Sequence, residues 1–261
     1  YYRYAQSLKS SGDITKANKF FDEFNTKSKN DTRSKLYKND VNYLDQIKAN
    51  SGRYKIEDAG INSKYSDYGS FVHNNKIYFA SARDTGNFSQ RKHKWTGEYF
   101  TNIYNADLDP ETGKAVKVNK FKSPINTKFH EASPVFTKDG KTVYFTRNNF
   151  INGKKGKDDH KITLIKIYKA TLDEKNKWAN IIELPFNSDN YSAGHPALSP
   201  DEKTLYFSSD MPGSIGQSDL YKVSINPNGG YGTPENLGNT INTEGKETYP
   251  YITNENEIYF S

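Results

Sequence analysis

Five histidines, His73, His93, His130, His160 and His195, are the first residues to weigh for catalysis or metal binding, and none stands at a spacing that such chemistry needs. His130-Glu131 runs on into Ala-Ser-Pro without a second histidine one helical turn away, so the metalloprotease pattern is absent and no metal site is expected. There is no cysteine to ligate a metal or form a disulfide, no glycine-rich phosphate loop, and no serine in a nucleophile elbow. Acids that a glycan-cleaving site would need are confined to Asp67, Glu131 and Glu247. Asp210 and Asp219 flank a short loop whose oxygens would suit calcium, but their spacing is not that of an EF-hand. Short acidic side chains at such turns ordinarily accept backbone hydrogen bonds, and that is the role expected of them. The reading is of a chain with no catalytic residue, no cofactor and no enzymatic activity.

The remaining chemistry is charge. Net charge is +6 with a pI near 9.0, yet the 31 acidic residues are interspersed with the 37 basic ones and no nucleic-acid motif accompanies them. No nucleic-acid partner is expected. Cations do concentrate in two long segments. Ala82–Phe100 carries Arg83, Arg91, Lys92, His93 and Lys94 with Trp95, and Asn148–Thr163 carries Lys154, Lys155 and Lys157. Cations beside an aromatic anchor form a candidate docking surface for an acidic protein or a glycan polymer; otherwise they keep two solvated loops soluble.

These loops need a scaffold, and the sequence repeats. Gly194-His-Pro-Ala-Leu-Ser-Pro-Asp-Glu-Lys-Thr-Leu-Tyr-Phe-Ser-Ser-Asp210 reads as strand, turn, strand, with Ser218-Asp-Leu-Tyr-Lys-Val223 as a third strand. Copies occur at Ser133–Thr146, Gly69–Ser81 and Tyr249–Ser261. Each begins near an (Ile/Phe)-Asn-(Ser/Thr) mark at residues 61, 125, 186 and 241, spacings of about 55 to 64 residues that suit a four-stranded unit. The third strands are Ile103-Tyr104, Ile167-Tyr168 and Leu220-Tyr221, and less regular fourth strands lie near Ala115–Phe121, Trp178–Leu184 and Tyr231–Leu237. The fold class is therefore mainly β with an N-terminal α-helical segment: an incomplete β-propeller of four-stranded antiparallel blades, three and part of a fourth, whose remainder is expected beyond Ser261.

Residues 1 to 50 have helical periodicity. Tyr4, Ala5, Leu8, Ala17, Phe20, Phe21 and Phe24 suit two short helices broken at Gly12-Asp13, as in a tetratricopeptide unit, and a third helix capped by Asp31 or Thr32 would carry Leu36, Tyr37, Leu44 and Ile47. The expected organisation is 1–50 helical, 51–60 linker and 61–261 propeller. No run of about 18 apolar residues occurs, so no membrane-spanning helix is expected.

The Ser-Pro-Asp-(Gly/Glu) turn, aromatic triplet and later (Ile/Leu)-Tyr resemble the TolB-like, WD-repeat-like propellers. With the helical start, His195–Asp201, Tyr206–Gly213, Gly216–Asp219, Asn236-Leu-Gly238, Phe145–Asn149 and Leu184–Asn187, the chain resembles OmpA-family proteins of Bacteroidota. That resemblance implies a periplasmic protein associated with the outer membrane of a Gram-negative bacterium. It would bind an outer-membrane β-barrel or envelope complex, such as type IX secretion or gliding machinery, and reach peptidoglycan through an OmpA-like domain that these residues do not include. Its readings are a scaffold or tether, a ligand- or glycan-binding sensor, or a propeller glycan-active enzyme.

Overall fold

The structure is a computed structural model that describes residues 1–261 except 40–42, 53–54, 84–91 and 95, with backbone only for 39, 43, 44 and 47. It is mainly β, with four short helices at the start of the chain. Two compact units are present: Tyr1–Glu57 with Thr243–Gly245, and Asp58–Asn242 with Lys246–Ser261.

In the first unit, α1 (Tyr2–Ser10) packs on α2 (Ile14–Lys27). Small Ala5 and Ala17 are fully buried and admit the rings of Tyr2, Phe21 and Phe24, with Tyr2 centred 5.8 and 5.2 Å from the two phenylalanines. Asp13 caps α2, its Oδ1 accepting from the Lys16 N–H at 3.2 Å. The expected third helix is two, α3 (Thr32–Asn39) and α4 (Tyr43–Ala49). Of its expected core, Tyr37 stacks on Phe21 at 4.9 Å, whereas Leu36 is exposed; the side chains of Leu44 and Ile47 lie outside the described residues.

The second unit holds three four-stranded antiparallel sheets. The first is β1 (Asp67–His73), β2 (Lys76–Ser81), β3 (Asn102–Leu108) and β4 (Ala115–Lys120). The second is β5 (Glu131–Phe136), β6 (Thr142–Asn148), β9 (Ile165–Leu172) and β10 (Trp178–Glu183), with the small hairpin β7 (Phe150–Ile151) and β8 (Lys154–Lys155) inserted between β6 and β9. The third is β11 (Ala193–Leu198), β12 (Thr204–Ser209), β13 (Asp219–Ser224) and β14 (Glu235–Asn236), and β15 (Tyr251–Ile252) pairs with β16 (Ile258–Tyr259) in a two-stranded sheet.

One device repeats. The last residue of each aromatic triplet lies directly across from the tyrosine of the third strand: Phe79 from Tyr104, Phe145 from Tyr168, Phe207 from Tyr221. Ring centroids are 6.1, 5.9 and 5.9 Å apart, and all six rings are buried. Each such pair contributes about 0.5–1.5 kcal/mol beyond the area it buries. Two hydrophobic clusters lie between sheets: Ile103 of the first sheet joins Phe136, Val143 and Phe145 of the second, and Val135, Tyr144 and Ile167 of the second join Leu205, Phe207 and Val223 of the third, while a third cluster, with Ile77, Phe79 and Tyr104, belongs to the first sheet alone. Both faces of a sheet must therefore be apolar, which explains the continuous Val-Tyr-Phe and Leu-Tyr-Phe runs.

Candidate functional site

The first strands of the sheets are neighbours. β5 packs between β1 and β11, and β11 packs against β15. Each of β1, β5 and β11 breaks register at the same point, between Tyr68 and Phe71, Ala132 and Val135, Gly194 and Ala197. The residue that opens the bulge has left-handed backbone every time: Gly69 (φ 62°), Ser133 (φ 48°) and His195 (φ 54°), with Tyr249 (φ 52°) at the matching place before β15. In three of the four a proline follows, Pro134, Pro196 and Pro250, suited to a position outside the ladder because it has no N–H to leave unpaired.

These four residues meet. A side chain at Gly69 would place its Cβ 2.9 Å from Ser133 Oγ; Ser133 Oγ is 3.2 Å from His195 Nδ1; the His195 ring lies 3.9 Å from Tyr249, and Tyr249 lies 6.2 Å from Tyr68. On one side they bound a cavity of about 410 Å³ lined by β1, β5, β11 and β15. Lys138 and Glu202 stand at its rim, the Lys138 N–H donating to Glu202 Oε1. On the other side, Tyr68, His130, Thr146, Asn148, Ile165 and His195 line a smaller cavity of about 250 Å³. Burial drives the His130 and His195 imidazoles down to a pKa of about 4, His93 adding repulsion at His130, so both are neutral at pH 7. His130 Nδ1 accepts from the Thr101 N–H at 3.1 Å.

The smaller cavity continues into an aromatic and cationic surface. The His130 ring lies tilted 4.6 Å from Phe100, Phe100 touches Phe129 at 6.1 Å, and Phe129 touches Phe150 at 4.8 Å. Exposed Lys128 and Lys155 hold their ammonium groups 5.7 and 5.4 Å from the Phe129 ring, and Lys128 lies 5.6 Å from Phe150. Lys154 and Lys157 are exposed beside them, and exposed Lys92 sits 5.3 Å from the Tyr99 ring. Exposed Lys94 adjoins His93, whose ring is 5.3 Å from His130. Arg91 and Trp95 lie outside the described residues. Arg83 needs correction as a docking cation, because its guanidinium is turned inward. It donates to the Ile61 carbonyl and to Asp67 at 2.8 Å, and lies over the Phe79 and Tyr104 rings. Lys128, missed in the sequence, was signalled only by its place before Phe129.

The acids are structural. Asp67 accepts from Ser63 N–H and Oγ, and Glu131 from Thr127 N–H and Oγ1. Neither lines the cavities. Glu131, fully buried, pairs with Arg147 at 3.3 Å; desolvation nonetheless pushes its carboxyl up to about 7. Asp219 accepts from the Ile215 and Gly216 N–H groups of the turn, the role expected, and from Asn236; Asp210 accepts instead from the Ser192 N–H, outside that turn. Among the described residues no cluster of three His, Asp or Glu could hold a metal, and no helix is long and apolar enough to cross a membrane.

The asparagines of the repeated mark have a role that the sequence did not reveal. Asn126 accepts from the Ile103 N–H at 2.7 Å and donates to the Ile103 carbonyl at 2.9 Å; Asn187 does the same to Ile167 at 3.0 and 2.7 Å, and Asn242 to Leu220 at 2.8 and 3.0 Å. Each amide thus acts as a peptide unit added to the third strand of the preceding sheet. The signal was the fixed Asn, but its partner is some 20 residues away and in another repeat.

No protein-family model matches the sequence, and no curated protein does. Similar solved structures include TolB from Acinetobacter baumannii (20% identity, TM-score 0.43, covering 77% of this chain and 38% of that one). They also include a puromycin-hydrolysing peptidase of Mycobacterium tuberculosis (16%, 0.40, 69% and 23%) and a thermostable family-43 glycoside hydrolase (12%, 0.43, 73% and 63%). The chain thus spans about a quarter to two thirds of their lengths. The expectation of a chain without enzymatic activity is corrected here, because enzymes stand beside TolB among its structural neighbours.

Proposed function

We propose that the sheets are successive blades of a β-propeller and that the protein is a binding scaffold whose docking face is the mouth of the smaller axial cavity. The observation that carries this reading is the meeting of Gly69, Ser133, His195 and Tyr249, one from each repeat, at a cavity that all the first strands line, with His195 also lining the smaller one. Lys92, Lys94, Lys128, Lys154, Lys155 and Lys157 stand around one mouth and give it affinity for an acidic partner. A solvent-exposed ammonium over an aromatic ring gains about 0.5–1 kcal/mol, and half-buried Phe100 and Phe150 would add buried area at the centre of an interface.

The resemblance to OmpA-family proteins supports the finer reading: a periplasmic scaffold at an outer-membrane complex, of the type IX secretion or gliding kind, tethered to peptidoglycan by a domain outside residues 1–261. Pull-down of the intact protein from detergent-solubilised envelopes tests it. Recovery of an outer-membrane barrel that K128S/K154S/K155S/K157S loses is the expected result, and unchanged recovery by that variant rejects the docking face.

The larger cavity favours a second reading, a sensor for a small glycan or muropeptide. Its about 410 Å³, with Phe71, Phe136 and His73 beside Lys138 and Glu202, falls in the size range of small-molecule sites. Saturable muropeptide binding that His195→Ala abolishes would select this reading; absence of binding would remove it.

A further inference from the structure

The first mark is built like the second, yet its asparagine grips nothing among the described residues. At the second mark, the Ile125 carbonyl accepts from Arg147, Thr127 N–H and Oγ1 donate to Glu131, and Asn126 grips Ile103 of the sheet before it. At the first mark, the Ile61 carbonyl accepts from Arg83 and Ser63 N–H and Oγ donate to Asp67, so the backbone is held in the same frame. Ile61 is buried as Ile125 is. Asn62, however, is exposed, and no hydrogen bond to its amide is made among the described residues. An orienting shell around an unused recognition group is the arrangement of a preorganised binding site.

We infer that Asn62 is a vacant strand clamp, and that it takes the N–H and C=O of an Ile or Leu followed by Tyr on the third strand of a further sheet of this repeat. The chemistry of the occupant follows from the filled clamps, which grip Ile103-Tyr104, Ile167-Tyr168 and Leu220-Tyr221. Its source follows from their occupancy. Each of those three strands already holds its own asparagine, in this chain and equally in any second copy of it, so the strand at Asn62 lies outside residues 1–261. This rests on the propeller reading in placing that sheet next to the first, and it states where the ring joins.

The test is amide exchange of the intact protein followed by mass spectrometry. Asn126→Leu is the internal standard and should speed exchange of the Ile103 amide by about tenfold or more. Asn62→Leu should do the same to one segment beyond residues 1–261 that contains (Ile/Leu)-Tyr. In otherwise unaltered protein, a photoreactive residue replacing exposed Lys64 should crosslink to that same segment, so a poorly folding N62L does not decide the matter. An N62L effect confined to residues 61–67, with N126L behaving as stated, overturns the inference, as does a Lys64 crosslink to a second copy. A captured strand whose sheet does not border the axial cavities would keep the clamp and sink the ring.

Discussion

Replacing Arg147 by Met would strip a buried carboxylate of its cation. Glu131 is 0% and Arg147 3% exposed by side chain, and the guanidinium also donates to the carbonyls of Ile125 at 2.6 Å, Phe150 at 3.3 Å and Pro124 at 3.4 Å. Breaking one partner of such a pair costs about 3–5 kcal/mol when the other remains charged. The loss should depend on pH in a defined sense. Glu131 titrates near 7 in the folded protein and at an ordinary 4.5 when unfolded. Between these values the folded state holds the extra proton, so stability falls as pH rises, by up to about 1.4 kcal/mol per unit, and levels off above about 7. Without Arg147 the folded carboxyl titrates higher still and the decline continues past 7. Urea midpoints of wild type and R147M at pH 5, 7 and 9 measure this, and the stability gap should widen by about 2 kcal/mol or more from the lowest to the highest pH. Adding Glu131→Gln should hold the gap constant with pH. A gap equal at pH 5 and 9 within about 0.5 kcal/mol, with Glu131 still present, would refute the assignment of a proton-retaining buried carboxyl.

Asn187→Ala leaves the N–H of fully buried Ile167 without its partner and its C=O with the Leu184 N–H alone, and should cost about 1–3 kcal/mol by urea denaturation; a loss within the range of a surface substitution would show that the clamp is incidental. Gly69→Val puts a branched side chain at φ 62° and 2.9 Å from Ser133 Oγ, so it should lower the melting temperature by several degrees and by more than Gly113→Val, which bears the same backbone strain at φ 67° but meets open space; equal losses would show that the crowding at Ser133 is immaterial. His130 and His195, held near 4, oppose their own protonation, so in an E131Q background stability should fall as pH drops from about 6.5 towards 4; a flat profile there would contradict the burial of both rings. Lys128→Ser with Lys155→Ser should weaken binding of a polyanionic test ligand such as polyglutamate and flatten its salt dependence, and an unchanged salt slope would place the contact elsewhere.

Much of the architecture was legible because it is written in local terms. A strand needs alternating or continuous apolar residues within six or seven positions, and a turn needs Pro-Asp or Asp-Gly within two. Val143-Tyr-Phe145 and Leu205-Tyr-Phe207 therefore announce their strands, and Asp13 announces a helix start. The site was less legible. Arg83 and Lys92 look alike in sequence, yet one is consumed by Asp67 and the Ile61 carbonyl while the other stands in solvent.

By itself the sequence determined the count of repeats, the order of strands within each sheet and the identity of the recurring asparagine. Only tertiary structure decided what those asparagines hold, which cations remain exposed, and that Gly69, Ser133, His195 and Tyr249 converge. The reason is range: propensity and periodicity act over a few residues, whereas a buried hydrogen bond or a cavity is set by groups about 20 to 60 positions apart, brought together by burial of apolar sheet faces that specifies closeness but not chemistry.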